Sequence, residues 1–244
     1  YQSVSPTTRI YDRARETASR GQQLIGSLRS ALGETLQADL SLGHATLDRR
    51  EPNDYAHRQE PFQGHRNQAV GGLHWDPSRG VGLSVGFDAY EEFARISDYG
   101  GGFDEGEGRY LGASVEGRWQ PLEALRVVGA YRQQWFRQAF VFKAFPGVPD
   151  EARDKGTWKA GANLRLGDHR FYVSGGTGFG LPFLYAVMYQ ARNLLDPSSW
   201  SYDPAAYRPL QPEESTFVQA GWTWEHGPWS ARVEGSRTRF DRLI

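Results

Sequence analysis

No cysteine occurs anywhere in the 244 residues. That excludes a disulfide framework, a thiolate metal site and a cysteine nucleophile. Lysine is almost missing: Lys143, Lys155 and Lys159 are the whole set, so the basic charge is nearly all arginine. No charge of one sign dominates. The net charge of −1 implies no bulk attraction to nucleic acid, and no nucleic-acid partner is expected. No apolar run approaches the ~18 residues of a membrane helix, and mean hydropathy is −0.64. A β-barrel is not excluded by this, because alternation hides its membrane face from any average. Residues 1–20 are polar and lack the apolar core of a signal peptide, so an export signal is expected upstream of Tyr1.

Catalytic patterns are equally scarce. The six histidines (His44, His57, His65, His74, His169, His226) are scattered. None pairs with another at the i, i+2 or i, i+4 spacing of a metal site. There is no G-x-S-x-G elbow and no phosphate-binding loop. The glycine-rich run at 175–180 opens no long helix and reads as a strand that bends out of a sheet. The chain is expected to be no enzyme and to need no cofactor.

What is abundant is glycine (29 residues) and aromatic side chains: Trp 8, Tyr 12, Phe 13. Short turns recur at Leu32-Gly33-Glu34-Thr35, Asp76-Pro77-Ser78-Arg79, Gln120-Pro121-Leu122-Glu123, Gly167-Asp168-His169 and Glu225-His226-Gly227-Pro228. Their residues supply the dihedrals that tight turns need. Between them fall long polar stretches, near 48–66, 92–108, 138–155 and 180–214. Connections therefore alternate short and long. A β-sandwich mixes its loop lengths. A transmembrane barrel has short periplasmic turns and long extracellular loops.

The segments between turns alternate with period two. Val81, Leu83, Val85, Phe87 and Ala89 oppose Gly82, Ser84, Gly86, Asp88 and Tyr90. Trp158, Ala160, Ala162, Leu164 and Leu166 oppose Lys159, Gly161, Asn163 and Arg165, and Phe171 and Val173 oppose Tyr172 and Ser174. The second sets are too polar for a packed interior and suit a wet lumen. Ten strands are expected, at 20–31, 36–48, 67–75, 80–91, 109–119, 125–136, 157–166, 170–178, 215–225 and 229–240. Their lengths match the ~9–11 residues with which a tilted strand crosses a bilayer. Trp75, Trp119, Trp224 and Trp229 each stand beside a short turn, where an interfacial aromatic girdle belongs. The expected fold is all-β: a transmembrane antiparallel up-and-down β-barrel.

Three motifs carry a resemblance. Gly176-Thr177-Gly178-Phe179-Gly180-Leu181-Pro182-Phe183-Leu184-Tyr185 is similar to the G-x-G-F-x-A-P-x-L-Y run of TonB-dependent outer-membrane receptors, with Leu181 in place of alanine. Leu210-Gln211-Pro212-Glu213-Glu214-Ser215 resembles that family's L-x-P-E-x-S. The closing run to Asp241-Arg242-Leu243-Ile244 resembles its D-L-I ending, with Arg242 intervening. The three fall within residues 176–244.

The resemblance implies a 22-stranded type of barrel around a plug, of which this chain would be about ten strands. Plug, signal peptide and closing strands would lie outside it. Implied partners are an extracellular chelate (an iron-siderophore or a cobalamin-like ligand), the lipid bilayer, and a TonB-type energy transducer that acts through the plug. The cell outer membrane of a Gram-negative organism is the implied location. Other readings of the same residues are a non-coupled outer-membrane channel or adhesin barrel, and a soluble glycan-binding β protein.

Candidate ligand contacts at the outer rim are Tyr90, Tyr110, Arg132, Trp135, Tyr185 and Tyr189. Inward charges are expected at Arg118, Arg126, Arg132, Arg165 and Arg232, with Asp39, Asp88, Glu116 and Glu234, as cross-strand pairs. Residues 184–193 are expected to form a short helix with an apolar face. The acidic stretch 98–107 is read as a mobile loop, with calcium as the alternative.

Overall fold

The computed structural model describes residues 18–53, 58–97, 103–142, 151–182, 184–199 and 201–242. Ten strands form one antiparallel meander in sequence order: β1 (Ala18–Ala31), β2 (Leu36–Asn53), β3 (Arg58–Ser78), β4 (Val81–Ser97), β5 (Phe103–Leu122), β6 (Leu125–Val141), β7 (Glu151–Leu166), β8 (His169–Gly180), β9 (Glu213–His226) and β10 (Trp229–Arg242). One helix, α1 (Leu184–Leu195), stands between β8 and β9. The strand count and the up-and-down order agree with the period-two pattern. Among the described residues β1 pairs only with β2 and β10 only with β9, so the sheet is not closed.

The five expected short turns are present. Two of them are two-residue loops that begin at Gly167 and Gly227, both at φ 58°. A loop this short follows the right-handed twist of its strands only if it enters the left-handed region, which glycine does without steric cost.

The long connections differ from expectation. Stretches 48–66 and 92–108 are largely strand, β6 and β7 extend into 138–155 as far as Val141 and from Glu151, and the strands run from 12 to 21 residues. Backbone pairing does not stop where side-chain polarity changes. On β4 the outward residues are Val81, Leu83, Val85, Phe87 and Ala89, followed by Glu91, Phe93 and Arg95. On β5 they are Trp119, Val115, Ala113 and Leu111, followed by Arg109, Glu107 and Glu105. The apolar band on β5 covers 111–119, near the ~9–11 residues a bilayer requires. Above it the same ladder continues with charges facing out. Ion pairs line that upper part: across strands Arg109 to Glu91 and Arg95 to Glu105, each at 3.4 Å, and along β5 Arg109 to Glu107 at 2.5 Å. Proline and charge marked the end of the apolar band, not of the strand.

The outer face is the one the alternation assigns. Trp75, Trp119 and Trp229, beside the short turns, are 46%, 58% and 70% exposed on it. Trp135, Trp158 and Tyr131 form its other edge. The inner face is polar near the short turns. His74 Nε2 lies 2.6 Å from Asp39, Arg118 pairs with Asp76, and Arg232 with Glu234 at 2.5 Å.

The hydrophobic core sits on the upper inner wall. Leu184, Val187, Met188, Ala191 and Leu195 recur at helical spacing on one side of α1. The first four pack on Ala94 and Ile96 of β4 and on Phe140 and Phe142 at the end of β6. Met188 is fully buried. Gly106 makes this seat possible, since a Cβ there would lie 2.7 Å from Met188 Sδ. Pro197 stops the helix, and Asp196 Oδ1 accepts from the backbone amide and hydroxyl of Ser198 at 2.8 and 2.7 Å. The helix expected at 184–193 therefore exists and is two residues longer. It lies against the wall, and Tyr207 and Leu210 of the segment before β9 pack on the same cluster.

Val85→Arg places a cation at mid-band on the outer face. It should cost roughly 2–4 kcal/mol of folding in lipid, measured by urea titration of the heat-modifiable band. Gln219→Arg, on the inner face, should leave that titration nearly unchanged. Gly106→Val should lift α1 from the wall, seen as faster hydrogen exchange across 184–195 with β9 and β10 unaffected.

Candidate functional site

Register decides which side chains meet. Tyr90 on β4 is opposite Tyr110 on β5, which is opposite Phe136 on β6. All three face inward. The Tyr90 and Tyr110 rings stack at 4.1 Å and 18°, and Tyr110 and Phe136 lie 6.4 Å apart at 18°. Phe179, near the end of β8, extends the row at 5.9 Å from Phe136. On the other side the Arg66 guanidinium sits 4.0 Å over the Tyr90 ring. A cation at that distance is attracted by the ring's negative face.

The polar ends of the rings are fixed. Tyr110 donates its hydroxyl proton to Glu92 Oε1 at 3.0 Å and accepts from Gln138 Nε2 at 2.9 Å. A small cleft of about 200 Å³ opens among Arg66, Tyr90, Glu92, Tyr110, Gln134 and Phe179, closed on one side by Leu181 and Pro182. The bend of the chain after Gly180 thus places one of the motif segments over the aromatic row. Gly176, earlier in that motif, lies where β7 approaches most closely. A Cβ there would meet the Trp158 carbonyl oxygen at 2.4 Å.

Below the row, Arg132 Nη2 donates to Asp88 Oδ2 at 2.7 Å. The pair reaches from β6 to β4 across β5, and Gly112 leaves it room: a Cβ there would sit 2.4 Å from Asp88 Oδ1. Near α1, Tyr207 is half-buried in the segment before β9. Burial, and then the Glu151 carboxylate, pushes its phenol above the ordinary range.

Of the residues expected at a ligand site, Tyr90, Tyr110 and Arg132 share this inner face. Trp135 does not. It is opposite Leu111, 44% exposed on the outer face. Tyr189 is exposed on α1, away from the helix side that packs on the wall. Tyr185 belongs to α1, but its side chain lies outside the described residues. Arg66, Glu92, Phe136, Gln138 and Phe179 complete the site and were not expected there. Arg66 and Glu92 fell in stretches read as loops, which have no faces. Extending the period of two from Ala89 to Ser97 would have put Glu92 inward.

The acidic stretch reads differently in the structure. Residues 98–102 lie outside the described residues. Asp104 faces inward and is buried, while Glu105 and Glu107 face outward in the ion pairs above. Strand alternation separates the carboxylates, and among the described residues no group of three or more acids or histidines converges on a metal.

A family model of the TonB dependent receptor-like β-barrel matches residues 2–244. The chain belongs to that family. Members of the family are transporters and receptors of the Gram-negative outer membrane. No curated protein sequence matches the chain at a significant level. Solved structures share its fold. They include the ferric-catecholate import receptor Fiu of E. coli K12 (TM-score 0.68, 11% identity, 92% of this chain and 41% of that one). The copper transporter OprC matches with TM-score 0.65 and 15% identity over 92% of this chain and 40% of that one. The ferric yersiniabactin uptake receptor FyuA of Yersinia pestis matches with TM-score 0.57 and 15% identity over 92% and 36%. The chain spans about two fifths of the length of these structures.

Aromatic faces, one guanidinium and one carboxylate meet at the cleft. Tyr110→Phe removes the hydroxyl between Glu92 and Gln138 and leaves the buried Gln138 amide without that acceptor. It should cost about 1–3 kcal/mol, seen as a lower thermal transition by circular dichroism in detergent, with the strand spectrum intact.

Proposed function

We propose that this chain is wall of an outer-membrane receptor that takes up a metal ion or metal chelate, with energy from a TonB-type transducer. The observation that carries the reading is the row Arg66–Tyr90–Tyr110–Phe136–Phe179 on the inner face, at the end of the barrel remote from the short turns. Membership of a family of transporters supports it. So do the structurally similar receptors for ferric catecholate and ferric yersiniabactin and the copper transporter. A flat, partly aromatic chelate of iron or a similar metal fits a stack of rings with a cation over one end. We also propose that the remaining barrel strands, the plug and the transducer contact belong to sequence beyond residues 1–244. Among the described residues β1 and β10 are paired on one side only, which supports that.

The test uses the intact protein in a strain deprived of its own receptors. Radiolabelled ferric chelates should accumulate, and a protonophore should abolish accumulation. Uptake that persists with the protonophore would mean a non-coupled channel. Arg66→Ala and Tyr90→Ala should each weaken chelate binding about 3- to 30-fold, from a cation–π contribution of roughly 0.5–2 kcal/mol. Unchanged affinity in both would remove the inner-face row from the function.

A further inference from the structure

The cleft over the aromatic row shares its rim with a second hollow on the inner wall, of about 250 Å³. Arg66 and Glu92, direct partners across β3 and β4, line both. Beyond them the hollow is apolar. Its inward side chains are Ala45 and Leu47 of β2, Phe62 of β3 and Ala94 of β4, and Leu184 at the start of α1 walls it. Gly64 stands between Leu47 and Ala94 in register, and with Ala45 it keeps the floor low.

Lipid does not account for this patch, because it faces the lumen. Lower on β2 the inward places hold Gln37, Asp39 and Ser41. At Ala45 and Leu47 they turn apolar, while the outward places turn to Thr46 and Asp48. The two faces thus exchange character above the apolar band. Packing under α1 accounts for part of the change: Ala94 is buried, and Phe62 packs on the cluster that seats the helix. Leu47, however, stays 38% exposed. Apolar surface gathered in a concave place beside a few polar groups is the form of a ligand pocket. The floor's inward side chains offer no donor and no acceptor. A polar group placed there would lose its water without replacement, and a hydrocarbon would not.

We propose that the chelate bound by this wall carries an alkyl arm, and that the hollow receives it. The metal-bearing head lies in the cleft beside Tyr90 and Tyr110. The arm leaves it past Arg66 and Glu92 and lies over Ala45 and Gly64, against Leu47 and Leu184. At ~30 Å³ for a water-sized group, a hollow of about 250 Å³ takes an arm of roughly six to eight carbons. The proposal rests on the chelate-receptor reading and narrows its substrate to amphiphilic chelates.

The experiment uses the intact protein in lipid nanodiscs and two synthetic ferric catechol chelates. They are identical except that one bears an N-acetyl and the other an N-octanoyl arm. Protein-free nanodiscs correct for partition of the arm into lipid, and quenching of tryptophan fluorescence reads the affinity. Each methylene taken from water favours binding about four-fold. With six more of them, roughly half buried in an open hollow, the octanoyl form should bind wild-type protein at least about ten-fold tighter. In Ala45→Phe, which fills the hollow from β2, that preference should fall below about three-fold. Should Ala45→Phe lack heat-modifiable migration, Leu47→Asn replaces it, with the same fall expected. Equal affinity of the wild type for both chelates, or a preference that survives in the variant, would overturn the arm site and leave the aromatic row standing. A wild type that binds neither chelate loses the row as a chelate site, and the arm site with it.

Discussion

The structure depends on one constraint: a backbone that crosses lipid must satisfy every amide and carbonyl within the sheet. A continuous antiparallel ladder does so, and it leaves the side chains one freedom, the choice of face. Everything functional in this chain follows from a strict period of two. Val81, Leu83, Val85, Phe87 and Ala89 meet lipid because Gly82, Ser84, Gly86, Asp88 and Tyr90 cannot. The ladder continues above the band, where Glu91 and Arg95 take the outward places. There it is cross-strand ion pairs, exposed and individually weak, that replace lipid contact on the outer side.

The inner wall shows how small residues make room for large contacts. Gly112 lets Asp88 reach Arg132 across an intervening strand, and Gly106 lets Met188 seat α1. Neither glycine needs an unusual backbone angle. Each is small because something else occupies its Cβ position. Gly176 is the backbone version of the same device, since the neighbouring carbonyl fills its space. The helix that results covers the upper wall beside the aromatic row, and the Leu181-Pro182 bend closes one side of the cleft. The end of the barrel away from the short turns is thus partly filled by the chain's own loop.

Much of this was legible in the sequence. The ten strands, their order, the outward faces and the inward charges Arg132 and Asp88 all follow from alternation and turn spacing. Two things were not. Strand ends were drawn where the apolar band stops, because hydrophobic pattern reports on lipid and not on hydrogen bonding; β3 and β5 therefore came out far too short. The aromatic residues near the outer rim were also taken as one group. Alternation divides them: Tyr90 and Tyr110 go in, while Trp135 goes out. A residue's height along the barrel can be read from its distance to a turn, but its face needs an unbroken count of twos. The stretches around Arg66 and Glu92 lacked that count once they were treated as loops.

The inner row and the outer apolar face are consequences of the same register. Tyr90 and Tyr110 follow Ala89 and precede Leu111 by one residue, so one pairing that stacks the rings inside also aligns Ala89 with Leu111 outside. A slip of one residue between β4 and β5 would reverse the alternation of the slipped strand, sending polar side chains into lipid. A slip of two would keep every face and still part Tyr90 from Tyr110, so lipid fixes which way each side chain points and the exact register fixes which rings meet.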